Sequence, residues 1–261
     1  MKIFIRKIYW ILSTQFGINF KIMLRSILSI PRYISDIIKF RKYYHGKLTL
    51  TPCLHDWYEE AGATKSEYFW QDLYVAQNIH KIDPKKHVDI GSRIDGFVAH
   101  VASFRNIEVF DIRPITTNIP NIDFRQVDFM NEIPEYLVNY CDSISCLHAL
   151  EHFGLGRYGD PIKPHGHKIA LNNISKMLLP NGMLYLSVPI GQERVEFNAN
   201  RVFNPLSIIE IAKDNKLSLL SFSWIKDRGY LVESTSLTED IDTLINQYYN
   251  LGIFQFIKES E

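Results

Sequence analysis

The chain has 261 residues, 46% hydrophobic and 22% charged, with a formal net charge of zero. Those figures fit a globular protein of one large or two small domains, long enough to bury a core without staples. They exclude wholesale disorder, a collagen-like repeat and a disulfide-rich scaffold. The three scattered cysteines, Cys53, Cys141 and Cys146, read as buried free thiols in a reducing compartment.

The charge is unevenly spread. Residues 1–47 hold ten Lys/Arg and one acid, Asp36, a net +9, which leaves −9 on the remainder. That is a basic arm on a mildly acidic body, not the profile of a nucleic-acid-binding protein. The arm is also apolar, but its longest uncharged run, Ile8–Phe20, has 13 residues, and a spanning helix needs about 20. Two readings remain open. One is a helix or helical pair lying on an anionic membrane surface, with Trp10 and Phe16 inserted. The other is a helical subdomain packed on the main domain or on a second subunit. Pro31 and residues 41–46 read as loop punctuation. The expected boundary lies near residue 50, with a helical extension over 1–50 and an α/β domain over 51–261.

From residue 66 helices and strands alternate. Glu67–His80 has apolar residues at helical spacing, with Ser66 as its N-cap. His87–Ile90 reads as a buried strand, Val98–Phe104 as a helix, and Ile107–Phe110 as a second strand ending in Asp111. Phe124–Val127 is a third strand, ending in Asp128, and Ser143–Leu147 a fourth, ending at His148. His167–Leu179 is an amphipathic helix closed by Pro180-Asn181-Gly182, and Met183–Val188 a fifth strand. Ile208–Asp214 is helical, Leu217–Trp224 and Tyr230–Ser234 are the sixth and seventh strands, and Asp240–Phe256 is a closing helix. The pattern predicts a Rossmann-like, mainly parallel sheet of seven strands flanked by helices.

In such sheets the ligand sits beyond the carboxyl ends of the strands. The first strand runs into Asp89-Ile90-Gly91-Ser92-Arg93, where a glycine lets backbone amides approach a ligand. Asp111 ends the second strand, 22 residues after Asp89, at the distance where a carboxylate can accept from a ribose diol. Asp128-Phe129 stands where an adenine could be bonded and stacked.

This order resembles class I S-adenosylmethionine-dependent methyltransferases over residues 66–234. Asp89-Ile90-Gly91 is similar to that family's first motif, and Asp111 to its ribose-binding acid. Leu147-His148-Ala149-Leu150-Glu151-His152 resembles its fourth-strand segment, and Leu179-Pro180-Asn181-Gly182-Met183 its turn before the fifth strand. More closely, three runs resemble an uncharacterised bacterial family, the Domain of Unknown Function 268 family. They are Ser66–Leu73, Asp89–Arg93 and Glu151–Pro161, the last being long and specific. The resemblance implies S-adenosylmethionine as cofactor, held by Asp89, Gly91, Ser92, Arg93, Asp111, Asp128, Phe129 and His148. The sequence departs from the pattern at Arg93, where glycine is usual. That side chain either crowds the methionine moiety or pairs with its carboxylate.

Residues 148–167 hold the densest chemistry. His152, then Asp160, are the candidate general bases for a hydroxyl acceptor. Glu151, Arg157, Tyr158 and, further on, Arg201 are candidates for holding the acceptor. The histidine spacings match no standard zinc pattern, and no metal is assigned. The expected activity is methyl transfer to a hydroxyl of a small molecule or a cell-surface glycan precursor, in the cytoplasm or on the inner face of the membrane. The alternatives are a methyltransferase-like binding or scaffold module and another nucleotide-using enzyme on the same fold.

Overall fold

The computed structural model describes residues 2–226, 229–234 and 236–260, and the chain divides into two units, Met1–Ala63 and Thr64–Glu261. The first unit carries helices α1 (Lys2–Gln15) and α2 (Phe20–Arg41). Asn19 caps α2, its side chain accepting from the amides of Lys21 and Ile22 and so satisfying two donors that a helix start leaves free. Pro31 does not punctuate this segment, as the sequence had suggested, but lies within α2. A proline removes one backbone bond, and a 22-residue helix keeps enough others on either side to continue. Arg25 and Arg32 lie over the rings of Tyr58 and Trp57, at 5.2 and 4.1 Å. No helix among the described residues is long and apolar enough to cross a membrane.

The second unit is an α/β sandwich. Its elements are α3 (Glu67–Ile82), β1 (His87–Ile90), α4 (Ala99–Ala102), β2 (Ile107–Asp111), β3 (Ile122–Gln126), β4 (Cys141–Leu147), α5 (Gly166–Met177), β5 (Leu178–Ile190), β6 (Arg194–Glu196), β7 (Asn200–Val202), α6 (Pro205–Asp214), β8 (Leu217–Lys226), β9 (Tyr230–Glu233), α7 (Leu237–Leu244) and β10 (Asn250–Lys258). Among the described residues the main sheet has eight strands in the order β3-β2-β1-β4-β5-β10-β8-β9, and β6 and β7 form a separate hairpin. β1 to β5 pair in parallel, whereas β10 runs antiparallel to both β5 and β8. The order reverses between β1 and β4, which creates a crevice at their carboxyl ends.

Eight strands replace the expected seven because Asp240–Phe256 is not one helix. It divides into α7 and β10. β10 is buried on both faces between β5 and β8, so the run Leu251–Phe256, apolar but for Gln255, has no alternation to mark it as a strand. Gly252 belongs there because a Cβ would stand 3.0 Å from Ile190 side-chain atoms.

Each face of the sheet has its own core. α3, α4 and the turn before α4 bury Val75, Ile79, Phe97 and Val101 against Val109, Tyr185 and Ile253. On the other face α5, α6 and α7 bury Leu171, Ile174, Ile208 and Leu244 against Ile90, Ile144, Leu186 and Phe254. Burying a side chain of this size contributes about 1.5–3 kcal/mol, so these clusters hold the strand ends in register.

Candidate functional site

The site begins with an anomaly in the centre of the sheet. His87 and Asp89 are polar residues on a fully buried strand, and burial without partners would be costly. A closed network satisfies them. Ser143 Oγ lies 2.8 Å from His87 Nδ1, His87 Nε2 lies 3.1 Å from Ser145 Oγ, and Ser145 donates to Asp89 at 2.6 Å. Asp89 also accepts from the Ser92 amide and hydroxyl, at 3.0 and 2.6 Å. Burial pushes the Asp89 carboxyl up to about 7 and the His87 imidazole down to about 3. Asp89 therefore braces the turn after β1 from beneath.

Gly91 follows with φ +75°, the left-handed region, and a Cβ there would stand 2.9 Å from the Ala149 Cβ. Close passage of this turn against the end of β4 thus requires glycine. Arg93 turns to Asp95, donating to it twice at 3.0 and 2.7 Å, and lies 5.7 Å from the Tyr68 ring centre. Its side chain is more than half exposed.

Asp111 ends β2 as expected, but with a partner that sequence reading missed. Arg113 donates its amide and Nε to Oδ1 and its Nη2 to Oδ2, at 2.8, 3.0 and 2.5 Å. Oδ2 takes only one of these bonds and keeps acceptor capacity. The Arg113 guanidinium also lies 4.5 Å over the Tyr158 ring, tying the end of β2 to the loop after β4. Asp128 shapes the turn after β3, accepting from the Met130 amide and the Asn131 side chain. Phe129 is 2% exposed and packs edge-on against Phe110 at 5.8 Å. Its ring belongs to the core, which corrects the expectation that it offers a stacking face.

His148 leaves β4 at φ +54° into a buried charge cluster. It donates from Nδ1 to Glu151 Oε1 at 2.6 Å and from Nε2 to Glu67 Oε1 at 3.1 Å. Burial opposes its charge, but Glu151 and Glu67 outweigh burial and push it up to about 10. Glu151 is fully buried; burial would raise its carboxyl, but His148 outweighs that and holds it low. Its Oε2 has no partner among the described residues. Tyr249 donates to Glu67 Oε1 at 2.8 Å, and Tyr68 stacks on His148 at 4.6 Å. Two carboxylates around one imidazolium leave a net negative charge beside the crevice. Glu67, Tyr68 and Tyr249 also line a cavity of about 320 Å³ with Lys65, Lys226 and Asn250. Neither Glu67, though it lies in the Ser66–Leu73 run, nor Tyr249 was among the candidate site residues read from the sequence.

The loop after β4 sorts its candidates. The backbone carbonyl of Ala199 accepts from His152 Nδ1 at 2.8 Å and from Arg157 at 2.7 Å. This assigns the Nδ1 proton and leaves Nε2 as an acceptor, 3.6 Å from Glu151 Oε1. Burial lowers the His152 pKa, so the ring is neutral near pH 7. Tyr158 packs edge-on to His152 at 5.5 Å. Asp160 accepts from the amides of Gly154, Gly156 and Tyr158, at 2.9, 3.0 and 3.1 Å, and so acts as the hub of the loop backbone. Arg201 is 5% exposed and donates to the carbonyls of Glu151, Phe153 and Pro164. The geometry gives these two residues to loop structure.

Solved structures share this architecture. A sarcosine dimethylglycine methyltransferase from Galdieria sulphuraria, so described provisionally, matches with a TM-score of 0.51 and 14% identity, over 73% of this chain and 85% of its own. The 1,6-didemethyltoxoflavin-N1-methyltransferase of Burkholderia thailandensis, solved with S-adenosylhomocysteine, matches with a TM-score of 0.51 and 13% identity, over 88% and 87%. The [4+2]-cyclase SpnF matches with a TM-score of 0.50 and 12% identity, over 72% and 82%. The fold is that of the class I S-adenosylmethionine-dependent methyltransferases. The DUF268 family, described as Caenorhabditis protein of unknown function, matches residues 101–243, more than half of the chain. The chain belongs to that family, whose description names Caenorhabditis where the sequence resemblance had implied bacteria. No curated protein matches it in sequence.

Proposed function

We propose that the protein is an S-adenosylmethionine-dependent methyltransferase acting on a hydroxyl of a small molecule or cell-surface glycan precursor. The observation that carries this reading is the row of strand ends at the topological switch point: the Gly91 turn after β1, Asp111 at β2 and His148 at β4. These residues suit the cofactor. Asp111 Oδ2 would accept from ribose hydroxyls, and the Gly91–Arg93 turn and Asp128 would hold the methionine and adenine moieties. The negative surplus of Glu67, His148 and Glu151 favours positive charge.

The cofactor supplies an electrophilic methyl group. Held by Asp111, the Gly91–Arg93 turn and Asp128, it would offer that group to an acceptor hydroxyl. His152 Nε2 takes the hydroxyl proton, since burial keeps this ring neutral and its Nδ1 proton is held by Ala199. Arg157 and Tyr158 hold the acceptor at the loop edge. Peripheral attachment to the inner face of a membrane belongs to this reading, and is supported by the charge of residues 1–47.

A second reading, a methyltransferase-like binding module, is favoured by the Arg113 fork on both Asp111 oxygens. Isothermal titration with S-adenosylmethionine and S-adenosylhomocysteine separates the two. Micromolar binding, lost in Asp111→Ala, is expected of the enzyme. Absence of binding to folded protein overturns that reading in favour of the module.

A further inference from the structure

α2 is a continuous helix of 22 residues, ~33 Å long at 1.5 Å per residue. Its length would suffice to span a bilayer, but Lys21, Arg25, Arg32, Asp36, Lys39 and Arg41 interrupt it. What it presents instead is a stripe. Phe20, Leu24, Ile27, Leu28, Ile34 and Ile38 are each between 48% and 64% exposed. At 100° per residue they fall on one arc about 120° wide, which exposed Met23 and Ile30 extend to about 160°, while Ile22 and Phe40 are exposed on the far side. Lys21, Arg25, Arg32 and Lys39 fall on a narrow arc along one edge of it. Ser29, the buried residue of the helix, stands on the opposite face. Soluble proteins rarely expose so large an apolar surface without a partner for it.

We propose that this stripe seats α2 in the plane of an anionic lipid surface, its apolar arc in the acyl boundary and its basic arc at the headgroups. The proposal rests on the membrane-attached enzyme read above for its place in the cell, not for its chemistry. Charge decides the occupant. An apolar stripe could also pair with a second copy of itself, but that would bring together two segments of net +9. An anionic bilayer supplies both an apolar phase and the opposite charge, and each Lys or Arg near such a surface adds to binding.

The test is co-sedimentation of the full chain with phosphatidylcholine vesicles, with and without phosphatidylglycerol at about a third of the lipid. The variants are Ile27→Asp/Ile34→Asp, which breaks the apolar arc, and Lys21→Glu/Lys39→Glu, which reverses two charges. All four side chains are exposed, so circular dichroism of both variants should match wild type. Wild type is expected to bind the anionic vesicles and not the neutral ones. Lys21→Glu/Lys39→Glu should weaken that binding by about thirtyfold or more, and Ile27→Asp/Ile34→Asp should abolish it. Failure of wild type to bind anionic vesicles overturns the proposal, as does unchanged binding by both variants. A dimer lost in Ile27→Asp/Ile34→Asp, with no vesicle binding, assigns the stripe to a second copy and also overturns it. S-adenosylmethionine titration on the same preparation reads the enzymatic assignment separately.

Discussion

Asp89→Asn tests whether the brace beneath the Gly91 turn is a buried carboxyl. Asp89 is wholly buried, and burial pushes its carboxyl from its ordinary value of 3.8 up to about 7. The native state therefore holds this proton more tightly than the unfolded chain. Stability from Asp89 is full below pH 4 and falls as pH rises to 7, above which both states are ionised. A shift of about three units at 1.36 kcal/mol each makes this loss about 4 kcal/mol. His87 works the other way. Burial lowers its pKa to about 3, so its contribution grows as pH rises from about 3 to 6.5. The difference between wild type and Asp89→Asn isolates the carboxyl. Asparagine can accept from Ser145 and the Ser92 hydroxyl, but its amide then faces the Ser92 amide, at a cost of about 1–3 kcal/mol. The variant should be less stable than wild type at pH 4.5, with the deficit closing or reversing by pH 8. Urea unfolding across this range, followed by the fluorescence of the buried Trp224, measures it. Parallel pH curves for the two proteins would refute the argument.

Three further outcomes follow from the site. Glu151→Gln removes the stronger of the two carboxylate contacts to His148, so the imidazole pKa should fall by about 1–3 units in an NMR titration; an unchanged value would remove Glu151 as the cause. Arg201→Ala leaves three loop carbonyls without their donor and should destabilise by about 3 kcal/mol in urea unfolding, with partial recovery in Arg201→Lys. Gly91→Ala forces a side chain into the left-handed region against Ala149. It should cost about 1–2 kcal/mol and weaken S-adenosylhomocysteine binding at least tenfold in calorimetry, and wild-type affinity would show that the cofactor does not meet this turn.

Much of the second unit was legible in the sequence because its strands are short, apolar and separated by helical periods. β1, β2 and β4 end within a residue of where Asp89, Asp111 and His148 had placed them, since the rule that ligands gather at carboxyl ends constrains position as well as residue type. The elements that escaped were those whose local pattern is ambiguous. β10 is buried on both faces and so shows no alternation, and Pro31 is a helix breaker tolerated inside a long helix.

Residue chemistry could be read along the chain; partnership could not. The sequence sufficed to mark Asp111, His148, Glu151 and His152 as groups able to bind or move protons. Only the tertiary structure decided what each one touches. Glu67 meets His148 across 81 residues and Tyr249 across 182. Asp160 and Arg201, which read in isolation as a general base and an acceptor contact, are engaged by backbone groups once the loop folds. Hydrogen-bond capacity is a property of a residue type, but whether it is already satisfied depends on the backbone that folding brings to it: the loop's own amides for Asp160, and carbonyls 37 to 50 residues away for Arg201.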